Sequence, residues 1–322
     1  MRIRRREGCV EVETPAKLNL FLEVLGKRSD GFHDLETLMV PIAIRDDLRL
    51  TLRDDERVTL SCAWVDPVAA QRAGGSTKED DGFPPAEKNL CFRGAELFRQ
   101  RFGISRGVHL ELRKRIPMQA GMGGGSSDAA ATLLGMAALF DLRVDREEML
   151  SLAAELGSDV PFFVDCLPAI ARGRGERLEA VHSDERHMLS RMTFLAAKPP
   201  EGISTREAFA ACDLPASPRS VEAFRQALRR GNRDAMAQSA FNRLDQAARR
   251  LSPAIEATAE RFRQEGASIH ALTGSGSARF AMYGESATAR RHYRRLRQNF
   301  GGWTELARAW TPGRVAVAMS GA

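Results

Sequence analysis

Residues 117–128 read Pro-Met-Gln-Ala-Gly-Met-Gly-Gly-Gly-Ser-Ser-Asp, and the apolar run 129–140 follows without a break. Four glycines within residues 121–125 leave a backbone without Cβ atoms, free to take positive φ and to let a ligand approach its amides. Ser126, Ser127 and Asp128 are cap-type residues, and the Ala- and Leu-rich stretch behind them favours helix, so the loop is expected to open into one. Unpaired N–H groups at that end, with the positive end of the helix dipole, make an anion site. The stretch reads as a phosphate cradle. A dinucleotide fingerprint competes with this but reaches Ser126 where Gly or Ala is needed, although Asp141 lies about where a ribose-binding acid is expected. A P-loop lacks its lysine after the glycines. A flexible turn before a core helix stays open as the third reading.

The chain's 322 residues suit two domains, each able to bury a core. Apolar runs break well before the roughly 18 residues that a membrane span needs. The start, Met-Arg-Ile-Arg-Arg-Arg-Glu, has no apolar h-region, so neither a signal nor a transit peptide is read there. Cys9, Cys62, Cys91, Cys166 and Cys212 are odd in number and form no C-x-x-C pair, which points to reduced thiols in a cytoplasm and against a disulfide frame or zinc site. Net charge is +6, from 48 basic and 42 acidic residues, and only six of the basic residues are Lys. The arginines alternate with acids, as in residues 45–49 and 53–57, which describes a solvated face. The cluster Arg290, Arg291, Arg294, Arg295 and Arg297 is the exception, and an RNA-binding role for it ranks below a small-molecule function.

Along the chain, residues 10–12, 18–24, 38–44 and 48–52 read as strands, and Lys17 and Asn19 fall on one side of an extended backbone. The turn Asp30-Gly31 is followed by Phe32 beside His33. Residues 66–87 are polar and rich in breakers, a mobile surface loop. A helix over residues 89–101 and a strand over 108–112 lead into the glycine loop. Asp145 starts a capping-box-like helix that ends at Gly157. Asp159, two residues before Pro161, is either an ordinary helix start or a base at the mouth of the anion site. The polar stretch 183–190 is a plausible boundary between halves. Helices are expected over 204–211, 220–230, 234–250 and 253–265. A strand, a second Gly-Ser loop at 273–277, a strand at 278–283 and a helix to Asn299 follow, with a closing strand at 314–319.

Three segments in this order, residues 15–22 (Pro-Ala-Lys-Leu-Asn-Leu-Phe-Leu), 117–131 and 273–277, resemble the three motifs of the GHMP kinases, the family of galactokinase, homoserine kinase, mevalonate kinase and phosphomevalonate kinase. The stretches Gly26-x-Arg28-x-Asp30-Gly31-Phe32-His33, residues 123–130 and residues 159–163 narrow the likeness to members acting on a cytidine diphosphate ester of a branched tetrol in the non-mevalonate isoprenoid route. It covers most of the chain. The resemblance implies an α+β protein: a ribosomal-S5 domain 2-like N-terminal half (residues 1–185), a ferredoxin-like C-terminal half (186–322) and an active site between them. ATP is implied along Pro117, Gly121, Gly123, Gly124, Gly125, Ser126 and Ser127, with Asn89 and Lys114 in or beside the adenine pocket, and Mg²⁺ is expected with it. Asp159 is implied as the base for the acceptor's tertiary 2-hydroxyl. Lys17 is implied as the cation that keeps that base charged and stabilises developing charge. Phe32 and His33 are implied as cytosine readers with Phe209 facing them, Asn19 as a nearby polar contact, and Thr273, Gly274, Ser275 and Gly276 as closing on the reacting groups.

The chain departs from that pattern at Phe32, where Tyr is usual, at Ser158, where Ala is commoner, at Asn242-Arg243-Leu244-Asp245, and in the length of residues 66–87. The expected partner is the small-molecule ester, with no nucleic acid and no membrane, and the expected state is a cytoplasmic monomer or weak homodimer. A kinase for another alcohol such as homoserine or mevalonate is the nearest alternative, and an RNA-binding module the more distant one.

Overall fold

The structure is a computed structural model that describes residues 1–74 and 83–311. Its first layer is built on β2 (Cys9–Lys27) and β3 (His33–Leu52), which pair antiparallel along nearly their whole length. Bulges between Pro15 and Ala16, Asn19 and Phe21, and Val24 and Gly26 bend this ribbon. β1 (Arg2–Arg6) extends one edge; beyond β3 lie β5 (Val108–Lys114) and then β4 (Val58–Trp64). β6 (Ala169–Gly173) and β7 (Arg177–Ala180) branch from the far end of β3.

Behind this sheet lie α2 (Leu90–Phe102), α3 (Gly124–Leu139), α4 (Arg146–Leu156) and α5 (Val160–Asp165). α3 is buried on every side from Ser127 to Ala138, which is why it is made of small residues. A Cβ on Gly135 would lie 2.6 Å from Leu50 Cδ1, so even alanine is too large at that contact.

The second half carries an antiparallel sheet in the order β10 (His270–Leu272), β11 (Arg279–Tyr283), β8 (Thr193–Lys198), β12 (Trp303–Arg308). One face packs on α11 (Pro253–Gln264) and α12 (Ser286–Asn299) through Phe262, Ala289 and Leu296. On the other face, Phe194, Ala196, Phe280 and Met282 share a core with α6 (Ser183–Ser190), α8 (Glu222–Arg229) and the first-sheet residues Leu18, Leu20, Val40 and Ile42. One apolar core therefore runs through both halves. Among the described residues no helix is long and apolar enough to cross a membrane.

Several expectations are corrected. Residues 234–250 are not one helix: α9 (Arg233–Ser239) stops, β9 (Phe241–Asn242) pairs with β2, and α10 (Asp245–Leu251) begins anew. The cause is long-range, since Asn242 Nδ2 donates to the carbonyls of Leu272 and Gly274. The polar stretch 183–190, read as a boundary between halves, forms helix α6, with Glu185 fully buried and bridged to Arg225 at 2.8 and 3.2 Å; its helical form leaves that reading open. Residues 66–74 are not a loose loop: α1 (Pro67–Arg72) is capped by Asp66 and held at its far end by the buried Lys198, whose Nζ donates to Ala73 O at 2.7 Å. Asp145 caps α4 without a side-chain hydrogen bond. The closing strand expected at 314–319 lies outside the described residues, and β12, not foreseen, edges the sheet.

One half-buried group should make the second half acid-sensitive. His270 packs 6.0 Å from the Phe262 ring, and its Nδ1 has no partner among the described residues. Burial, aided by Arg279 and Arg263 and opposed by Asp245, pulls its pKa down to about 4. The unfolded chain takes up this proton below about pH 6.5, the folded chain only near 4. Acidification through that window therefore favours unfolding, by on the order of 2 kcal/mol after allowing for solvent reaching the ring. His270→Gln should flatten the fall in melting temperature between pH 6.5 and 4, and an unchanged acid limb would sink the assignment.

Candidate active site

The glycine loop reaches its shape through left-handed backbone at Gln119 (φ 52°), Gly121 (φ 69°) and Gly123 (φ 71°). Gly123 is the N-cap of α3, so the helix starts before Ser126 and not at it. Ser127 N–H already donates to Gly123 O at 2.8 Å. The amides of Gly124, Gly125 and Ser126 are thus the ones left without an intrahelical acceptor. The Ser127 hydroxyl is buried against that of Thr14 and donates to Pro15 O at 2.6 Å, which ties α3 to β2. Of the expected phosphate contacts, Ser127 does not face the cleft, whereas Gly121, Gly123, Gly124, Gly125, Ser126 and Pro117 do.

Close approach explains the glycines. A Cβ on Gly121 would sit 2.1 Å from Thr273 O, and one on Gly123 would sit 2.8 Å from Phe163 Cζ and 3.0 Å from Lys17 Cγ. The loop is pressed between the second half and the residues beneath it.

Lys17 N–H donates to Met122 O at 2.9 Å, which sets its side chain under the loop. Its ammonium, only 3% exposed as a residue, donates to Asn19 Oδ1 at 2.5 Å and lies 3.4 Å from Asp159 Oδ2. Asn19 is held in turn by its Nδ2 donating to Thr37 Oγ1 and its N–H donating to Thr273 Oγ1. Asp159 stands at the N-cap of α5 but makes no capping hydrogen bond, so its carboxylate faces Lys17 and remains about one-third exposed. A buried cation and a partly exposed carboxylate thus meet where the helix amides open.

The other expected residues fall around one cleft of about 1070 Å³, above the roughly 300–1,000 Å³ usual for a single small ligand. Phe32, His33 and Phe209 line one end. Phe32 is 49% exposed, and the His33 ring lies on Phe209 at 5.0 Å and 29°. Burial, then the charge of Lys27, holds the His33 pKa below the ordinary histidine range. Gly274 and Ser275 line the cleft from the second half, with the Ser275 hydroxyl 2.9 Å from that of Thr205. Thr273 and Gly276 do not: Thr273 is fully buried as a clamp between Asn19 and the glycine loop, and Gly276 N–H donates to Thr273 O.

At the opposite end Leu90, Lys114, Ile116 and Pro117 form the wall. Asn89 stands behind it, capping α2 by accepting from Cys91 N–H at 2.9 Å. Lys114 is buried between Asp46 and Asp128, which sequence reasoning missed, and donates to Asp128 Oδ2 at 2.5 Å. Burial opposes its charge, but the two carboxylates override this and hold it above the usual lysine range. Burial, reinforced by Asp46 and opposed by Lys114, pushes the Asp128 carboxyl up. Asp46 also accepts the N–H groups of Arg115 and Ile116 at 2.5 and 2.8 Å. The triad joins β3, the end of β5 and the N-terminal part of α3, so it braces the entry and exit of the glycine loop.

The family described as GHMP kinases N terminal domain matches residues 89–166, and GHMP kinases C terminal matches 220–302. The chain is 34% identical over 291 residues to the 4-diphosphocytidyl-2-C-methyl-D-erythritol kinase of Brevibacillus brevis, covering 89% of this chain and 92% of that protein. It is 37% identical over 308 residues to the protein of the same name from Rhodopirellula baltica, covering 89% and 91%. A crystal structure of 4-(cytidine 5'-diphospho)-2C-methyl-D-erythritol kinase aligns with a TM-score of 0.72 at 31% identity, over 94% of this chain and all of that one. Homoserine kinase from Cytophaga hutchinsonii aligns with a TM-score of 0.72 at 16% identity over 95% and 96%, a likeness of fold.

Proposed function

The chain belongs to the GHMP kinases, and within them to the 4-diphosphocytidyl-2-C-methyl-D-erythritol kinases, and from that premise we propose how its cleft transfers the γ-phosphoryl of ATP to the 2-hydroxyl of that ester in non-mevalonate isoprenoid precursor synthesis. The observation that carries the assignment is the Lys17–Asp159 pair, 3.4 Å apart, set beside the free amides of Gly124, Gly125 and Ser126.

Asp159 takes the proton as the 2-hydroxyl oxygen forms its bond to the γ-phosphorus. The bond from that phosphorus to the β–γ bridging oxygen breaks, and ADP leaves. Little covalent chemistry falls to the protein in such a transfer, so alignment and charge dominate. Lys17 offers its ammonium to the developing charge, and the loop amides hold the donor phosphates. The adenine lies toward Leu90, Lys114 and Pro117. Lys114, already engaged by two carboxylates, supports that wall and is not free to seek a phosphate.

Among the described residues no group of three or more His, Cys, Asp or Glu could hold a metal alone. The cleft fits a Mg²⁺ carried mainly by phosphate oxygens, with Ser126 the side chain at the loop that would touch it. Bound there it would neutralise charge on the β- and γ-phosphates. The cytosine is read by Phe32 and His33, and its entry between Phe32 and Phe209 requires the His33–Phe209 stack to part. We place the enzyme in the cytoplasm, acting on a small molecule as a monomer or weak homodimer; the five free cysteines support a reducing compartment.

Release of ADP, followed with a panel of alcohols, tests this reading. Turnover is expected with the cytidylated tetrol; turnover of homoserine or mevalonate with none of the tetrol would overturn it.

A further inference from the structure

Between the base-reading end of the cleft and Asp159, the wall is formed by Arg174. Its guanidinium carbon lies 4.9 Å from the centroid of the Phe32 ring. The next residue, Gly175, lies so close to the carboxylate that a Cβ on it would be 3.6 Å from Asp159 Oδ1. From the second half, α7 (Thr205–Ala210) brings Arg206 to the same cleft, one turn before Phe209. Lys27, at the end of β2, adds a third cation.

These cations differ from their neighbours in lacking a counter-charge. Arg28 pairs with Asp30 at 3.1 Å and Asp34 at 3.0 Å, and Arg172 pairs with Glu36 at 3.1 Å and Glu179 at 2.7 Å. Among the described residues no carboxylate oxygen lies within 4.0 Å of Lys27, Arg174 or Arg206. The carboxylate that does feel Arg174, Asp30, is already engaged by Arg28 and by Phe32 N–H.

Resting on the reading of the acceptor as a cytidine diphosphate ester, we propose that Arg174, with Arg206 lining the same cleft, holds the acceptor's diphosphate and so sets the span from the base to the reacting hydroxyl. In that ester the diphosphate lies between cytidine and tetrol, and Arg174 occupies the matching interval between Phe32 and Asp159. A guanidinium presents a planar fork of donors to phosphate oxygens, and such charge-assisted bonds are strong where water is partly excluded. Because Arg174 follows β6 and Arg206 stands on α7, the diphosphate joins the two halves. Alcohols without a diphosphate leave both cations unpaired, which discriminates against them.

Calorimetric titration of the full chain with CDP and with cytidine, at two salt concentrations, tests this. Arg174→Ala should weaken CDP binding by about tenfold or more, reduce its salt dependence, and leave cytidine within about twofold. Arg206→Ala should act in the same direction, and Arg174→Lys should retain part of the affinity. In turnover, KM for the acceptor should rise while KM for ATP stays unchanged. Undiminished CDP binding in Arg174→Ala, or an equal loss for cytidine, would overturn the proposal. A parent chain that binds neither compound would overturn the acceptor reading beneath it.

Discussion

Asp159→Asn should lower kcat by about 10²- to 10⁴-fold while leaving ATP affinity within about twofold. The substitution keeps the side chain's shape and removes its ability to take the hydroxyl proton. The donor site stays intact, because the amides of Gly124, Gly125 and Ser126 are positioned by Gly123 and by the Ser127 anchor, and neither touches Asp159. Lys17→Met should lose turnover to a similar extent, since its ammonium is the cation 3.4 Å from that carboxylate. ADP release and nucleotide titration on the same preparations separate chemistry from binding. Near-normal turnover in Asp159→Asn would remove the base assignment.

Lys114→Met should destabilise the fold by about 3–5 kcal/mol, enough to lower Tm by on the order of 10 °C. The substitution preserves volume and strips the counter-charge from Asp46 and Asp128, both almost fully buried. Asp128 is already the strained member: its carboxyl is pushed up by burial and by Asp46 even with Lys114 present, and its Oδ1 has no partner among the described residues. Asp128→Asn in the Lys114→Met background should therefore recover part of the loss. A single variant melting within about 2 °C of the parent would mean that the triad contributes little.

The family and fold class were legible in the sequence because the three glycine- and lysine-bearing segments carry their chemistry in local spacing. What was not legible depended on partners far along the chain. Ser127 reads as a phosphate ligand until Thr14 and Pro15, on another strand, claim its hydroxyl. Residues 234–250 carry helical periodicity throughout, and only the carbonyls of Leu272 and Gly274 explain why Asn242 breaks it. Lys114 looks like one more basic residue at a strand end until Asp46, 68 positions earlier, folds against it. Arg174 sits in an Arg-Gly-Arg-Gly turn with no pattern of its own, and its meaning comes from Phe32 and Asp159 on other elements. The helix start slipped from Ser126 to Gly123 because a left-handed glycine cap, unlike a serine cap, leaves no side-chain signature.

The glycine loop is stitched into the second half: Ser277 and Ala278 N–H donate to the carbonyls of Gln119 and Ala120, and Gly121 presses on Thr273. A hinge that swung the halves widely apart would tear these bonds and open the apolar core they share. The seam beside the glycine loop therefore resists such a motion, while Phe32 and Arg206, at the rim of the cleft, stand at the surface.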